Sequence, residues 1–285
     1  MDAPARRPVH GCGRPLPHLQ LAGSVFVGSP VGLSLADRQT GQSVESLELR
    51  RMKPLDRPLG PGPWVSDDAK QKWKTPTEPR RFRGWTIVCH VPQDSPLLSH
   101  VDDVMDCLHH DAVPGTWSYQ PANSLHMTIF PGLAERDLQN PETLPKWLTA
   151  ADDILTINRE CLRRIEAASP PPVGPLSVRS EGVGSSKGEV RVELSLPEED
   201  QRKRVVAFRD AVRTALDWAP EGHEDYRFHL TFAYRLKQPD PPSGDSLDVH
   251  SEVEEYVPQG TLFDLEAPAF CVIDSMVSFP PILRF

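Results

Sequence analysis

The chain is poor in what builds several familiar architectures. Its 285 residues include only 18 Gly, with no three-residue period, which excludes a collagen-like fibre. Aromatic residues make up 7% and apolar residues 38%, enough for one good core but not for a chain packed from end to end. Its longest uncharged stretch, 15–36, is broken by Pro30, Gly23, Gly28, Gly32, His18 and Gln20, so a membrane partner is not expected. The five cysteines (Cys12, Cys89, Cys107, Cys161 and Cys271) are odd in number, scattered and without a C-x-x-C pair. That pattern argues against a disulfide framework or a zinc ribbon, and for reduced thiols in an intracellular, cytoplasmic protein. No His/Asp/Glu cluster has zinc-like or two-metal spacing, so no metal or other cofactor is expected.

Proline, by contrast, is abundant. The chain has 31, against an ordinary share of about 5%, and this density argues against a helical bundle. Eleven of them fall in residues 1–80, including a cluster at 54–63. Charge divides at the same place, with a net +4 on 1–80 and −13 on 81–285. Residues 1–80 therefore read as a proline-rich, disordered leader that cannot bury enough surface to offset its ordering entropy. Residues 81–285 read as a monomeric folded domain. An acidic body is a poor partner for long duplex nucleic acid, whose affinity depends on many Lys/Arg–phosphate contacts. It remains compatible with a small anionic ligand.

Within the body, 85–91 (WTIVCHV) has strand composition, and Leu97, Leu98, Val101, Val104, Met105 and Leu108 come after it at helical spacing. The pattern predicts further strands at 125–130, 176–182, 189–196, 226–236 and 270–279, and helices at 148–168 and 198–218. A proline-rich hinge at 169–175 separates two halves, each with strand, helix, strand. The expected fold class is α+β, two-lobed and pseudo-symmetric.

One pattern occurs once per lobe. Leu125-His126-Met127-Thr128-Ile129 and Phe228-His229-Leu230-Thr231-Phe232 both read apolar, His, apolar, Thr, apolar. In a strand, residues i and i+2 share a face, so each His stands beside its Thr while the apolar residues face the core. Two such polar faces call for a partner or a ligand, unless both pairs are structural.

Two His-x-Thr strands in a duplicated α+β body resemble the two-histidine (2H) phosphoesterase superfamily, with its LigT-like fold of antiparallel sheets lining a central cleft. The flanks, 84–90, 124–130, 226–234 and 267–271 with Asp274, Met276 and Phe279, resemble one domain-of-unknown-function branch of it. The resemblance covers 82–285. It implies a metal-independent phosphodiesterase acting on a 2′,3′-cyclic nucleotide or an RNA end. His126 and His229 would be the acid–base pair, either one serving as base, with Thr128 and Thr231 on the phosphate oxygens. A nucleotide or RNA-end binding module without turnover is the alternative. The expected partner is thus a small phosphodiester.

Position suggests other candidates. Arg227 precedes His229 by two residues and so projects to the same face, where it could reach a phosphate; Ser124 matches it in the first strand. Tyr226 and Tyr234 fall on the apolar parity and read as core. His90 ends its strand near the cleft, and His223 reads as solvated loop. His109 and His110 are adjacent on a helix end and do not converge on a metal.

Overall fold

The computed structural model describes residues 59–60, 62–98, 101, 115–148, 153–186, 189–238 and 249–285. Residues 1–58 of the expected leader, most of the helix expected at 97–108, and His109 and His110 lie outside them. Residues 55–285 form one compact unit.

Among the described residues, nine strands form one antiparallel sheet: β1 (Gly84–His90), β2 (Trp117–Tyr119), β3 (His126–Phe130), β4 (Leu176–Ser186), β5 (Glu189–Ser195), β6 (His229–Arg235), β7 (Leu262–Leu265), β8 (Ala269–Ile273) and β9 (Pro281–Arg284). Their order is β7-β4-β5-β6-β3-β1-β8-β9, with β2 added alongside β6. The two His-x-Thr strands, β3 and β6, are therefore neighbours at the middle. The expected lobes share one sheet, in which β1–β3 on one side repeats β5–β6 on the other.

The repeat extends to an irregularity. β3 carries one residue more than β1 at Ile129, between the pairs Val88↔Thr128 and Ile87↔Phe130. β6 carries one more than β5 at Phe232, between Arg191↔Thr231 and Val190↔Ala233. Each motif thus has a bulge directly after its threonine, and a bulge shifts the alternation of every side chain beyond it.

Two long helices pack on one face. α2 (Ile154–Ala168) starts on Asp153, whose carboxylate accepts from Thr156 N at 2.8 Å, and ends on Ser169 in the left-handed region at φ 45°. It buries Ile157, Cys161 and Ile165. α3 (Glu199–Leu216) buries Val205, Phe208, Val212 and Leu216, the stripe read from the sequence. Met127, Ile129, Leu230 and Phe232 meet these side chains in the main core.

A smaller core lies on the opposite face, where Val88, Cys271, Ile273 and Tyr234 pack with Ala69 and Trp73. The last two belong to a segment inside the expected leader. Ser66 caps the short helix α1 (Asp67–Lys72), accepting from Ala69 N at 3.1 Å. Trp73 is 1% exposed. Upstream, Val65 N donates to Leu236 O at 3.0 Å, and Gln238 N donates to Pro63 O at 3.0 Å. The leader boundary expected at residue 80 therefore falls within packed structure. Trp64 and Trp73 supply apolar surface that the average composition of 1–80 conceals. A further helix among the described residues, α4 (Val249–Tyr256), adds Val253 to the main core.

Candidate active site

β3 and β6 meet through the pair Met127↔Leu230. In an antiparallel arrangement this places His126 and Thr231 on one side of the pair, and Thr128 and His229 on the other. Each histidine therefore stands with the threonine of the opposite motif. All four line one cavity of about 240 Å³, smaller than the roughly 300–1,000 Å³ of drug-sized sites.

Both imidazoles are held in the same way. His126 Nδ1 lies 2.6 Å from the carbonyl oxygen of Ser124, and His229 Nδ1 lies 3.0 Å from that of Arg227. A carbonyl only accepts, so Nδ1 is the protonated nitrogen of each ring and Nε2 is the one left to exchange protons. The matched positions Ser124 and Arg227 act through their backbone. The Arg227 side chain is exposed and is not among the cavity-lining residues, contrary to the sequence expectation.

Electrostatics singles out His126. Burial drives its pKa down from the ordinary 6.5 to about 4; the Ser124 carbonyl opposes this, and the neighbouring His90 and His229 add to it. His126 is thus neutral near pH 7. His90, which faces it across β1 and β3, has its ring centroid 6.4 Å away and its Nε2 on the Phe279 carbonyl at 3.0 Å. It stands beside His126 and does not line the cavity. The Phe279 ring packs on His126 at 4.1 Å and does line it.

The tyrosines depart from the expected parity reading. Thr128 neighbours Tyr226 and Thr231 neighbours Tyr234, each threonine hydroxyl lowering the pKa of its phenol. Both phenols line the cavity. The bulge at Phe232 carries Tyr234 to the site face, and a bulge cannot be read from apolar alternation. Burial pushes the Tyr226 hydroxyl up to about 12, with Thr128 and Arg209 working against it. The Arg209 guanidinium lies 5.1 Å from the Tyr226 ring centroid and donates to the His223 carbonyl at 2.5 Å. That contact draws His223 inward to 8% exposure, so it is a buried support and not the solvated loop residue expected.

The cavity also takes Gln120, Lys72 and Arg136 from outside the motifs. Gln120 is 4% exposed; its Oε1 accepts from Ser124 Oγ at 2.8 Å, while its Nε2 is buried without a partner. Lys72 of α1 pairs with Asp68 at 2.8 Å, and its ammonium lies 5.1 Å from the Tyr234 ring centroid. Burial works against that charge, yet Tyr234 and Asp68 hold its pKa above the usual lysine value. Arg136, after β3, also pairs with Asp68. Gln120 is signalled by nothing in the sequence, and the proline content of the first 80 residues hides Lys72. Among the described residues, no three His, Cys, Asp or Glu side chains gather as metal ligands would, and no helix is long and apolar enough to cross a membrane.

Residues 72–188, from Lys72 through the first motif, match the model of a family described as 2H-phosphodiest, a domain of unknown function (DUF1868). No curated protein matches the chain. Among solved structures, a conserved protein of unknown function from Agrobacterium tumefaciens has the same fold, with a TM-score of 0.56 and 20% identity over 73% of this chain and 87% of that one. LigT from E. coli, in complex with 3′-AMP, gives a TM-score of 0.41 at 10% identity over 72% and 97% of the two chains. A Thermus thermophilus protein gives 0.41 at 16% identity over 71% and 96%.

Proposed function

We propose that this chain, which belongs to the two-histidine phosphoesterase superfamily, is a metal-independent phosphodiesterase that opens a 2′,3′-cyclic phosphate on a nucleotide or an RNA end. The observation that carries the reading is the shared cavity, into which both His-x-Thr pairs project with each Nδ1 tied to backbone. A phosphodiester lying across β3 and β6 meets an Nε2 and a threonine hydroxyl on either side.

The unequal environments support one division of roles. His126, kept neutral by burial, is the base: its Nε2 takes a proton from water as the water oxygen attacks phosphorus. His229 gives a proton from Nε2 to the departing ribose oxygen, and the product is a phosphomonoester. Thr128 and Thr231, each beside a tyrosine, donate to the non-bridging oxygens as charge grows there, joined by the unpartnered Gln120 amide. A subsequent proton exchange with solvent restores both imidazoles.

The test is hydrolysis of 2′,3′-cyclic nucleotides, assayed in chelator with the wild type, His126→Ala and His229→Ala. General acid–base catalysis contributes roughly 10²- to 10⁴-fold, and each variant is expected to lose at least that much while its circular dichroism is unchanged. Full turnover in either folded variant would remove the mechanism. Binding of these nucleotides by the wild type without product would point instead to a holding module.

A further inference from the structure

Beyond the catalytic cavity, and sharing Phe82, Ala134 and Arg136 with it, lies a second hollow of about 650 Å³. Its walls come from α1, from the segment leading into β1, and from the turn after β3. Five cations line it, Lys70, Arg80, Arg81, Arg83 and Arg136, against two carboxylates, Asp67 and Glu135. Three of these, Arg81, Arg83 and Arg136, belong to the stretch 81–285, which carries a net −13.

The cations differ in how far they are already satisfied. Arg83 is held by Glu135, its Nε donating at 2.9 Å, and Arg136 pairs with Asp68. Arg81 reaches Asp274 at 3.3 Å across solvent, with both side chains more than 60% exposed, a pairing worth little in water. Arg80 donates its Nε to the carbonyls of Lys70 and Trp73 at 2.9 and 3.0 Å, which fixes the guanidinium without neutralising it. Lys70 has no carboxylate partner among the described residues. A hollow with surplus positive charge, a rigid arginine and an uncompensated lysine is built for anionic oxygens.

We propose that this hollow is an anion site for a phosphate-bearing extension of the substrate whose scissile diester occupies the neighbouring cavity. The inference rests on the phosphodiesterase reading and sharpens it. The preferred substrate carries at least one phosphate besides the one attacked, with Arg136 at the junction of the two sites. An oligonucleotide and a nucleoside polyphosphate share that chemistry.

The experiment compares three probes: adenosine 2′,3′-cyclic phosphate, the same nucleoside with a 5′-diphosphate, and a trinucleotide ending in a 2′,3′-cyclic phosphate. The wild-type protein is expected to favour at least one extended probe by about tenfold or more in kcat/KM. That preference should fall as salt rises, because each phosphate contact releases counterions. In the double variant Lys70→Gln/Arg81→Gln the ratio of extended to short substrate should drop to within about threefold of unity. The extended probe with the larger ratio identifies the source of the phosphate. A ratio near unity in the wild type, or one that the double variant leaves intact, overturns the proposal. Binding is measured in parallel with 3′-AMP and a 3′-phosphorylated trinucleotide. If no probe is hydrolysed, yet the trinucleotide outbinds 3′-AMP in the wild type and not in the double variant, the anion site stands and the hydrolytic reading falls.

Discussion

His126 concentrates the chemistry of the site in one side chain. Its half-buried ring sits against Phe279, His90 and the Ser124 carbonyl, and its pKa is held at about 4 against 6.5 in an exposed ring. Between those values the unfolded chain binds the proton and the folded chain does not. Stability is therefore fully present above about pH 6.5 and is lost progressively as pH falls towards 4. Urea unfolding at pH 7 and pH 5 should show that loss, and His126→Gln should flatten it. The same shift places the acid limb of kcat/KM below about pH 6, where a base with an ordinary imidazole pKa would already be protonated. A limb at about 6.5 that is unchanged in the His229 variant would contradict the role given to His126. These two histidines and two threonines were legible in the sequence because a His and a Thr at i and i+2 in an apolar strand leave few alternatives. Gln120 was not, since one glutamine at a strand end carries no pattern. The reading of His223 failed because a loop's side-chain direction depends on partners far along the chain, here the buried Arg209.

At the level of elements, periodicity located α2, α3 and the motif strands, with boundaries shifted by a few residues. It missed β2, β7 and β9, which are three or four residues long and too short to show alternation. It also missed the bulges, and with them the face of Tyr234. Where β3 ends, the chain must pass the buried Trp85, whose indole stacks on Phe270 at 5.0 Å. Gly132 makes that passage. A Cβ there would lie 2.1 Å from the Trp85 carbonyl oxygen and 2.6 Å from its indole, and neither group has room to retreat. Gly132→Ala is expected to cost about 3 kcal/mol or more, read as a fall in the urea midpoint without a change in slope. Because Gly132 also lines the cavity, activity should fall alongside stability.

For the whole molecule, the boundary between leader and body changes meaning. Proline content and charge divided the chain near residue 80, but the segment from 62 to 80 carries α1, two anchoring tryptophans, Lys72 and part of the cationic hollow. Composition averaged over a long window cannot resolve so short an anchored stretch. Trp73→Ala removes a fully buried indole, at an expected cost of about 3–5 kcal/mol. The loss should be local at first: limited proteolysis should cut within 62–80 while the sheet survives, and cyclic-phosphate hydrolysis should weaken as Lys72 loses its seat. Resistance of this segment to protease in the variant would show that it is held by something other than the tryptophan.

The pairing of Met127 with Leu230 has a consequence for how such a body could be divided or duplicated. Because each histidine stands beside the threonine of the other strand, neither half owns a complete cradle. A single half, expressed alone, would present one imidazole and one hydroxyl on the same strand, with nothing facing them. Two copies associated through that central edge would restore both crossed pairs, which makes the junction between β3 and β6 the place where the two halves are obliged to remain partners.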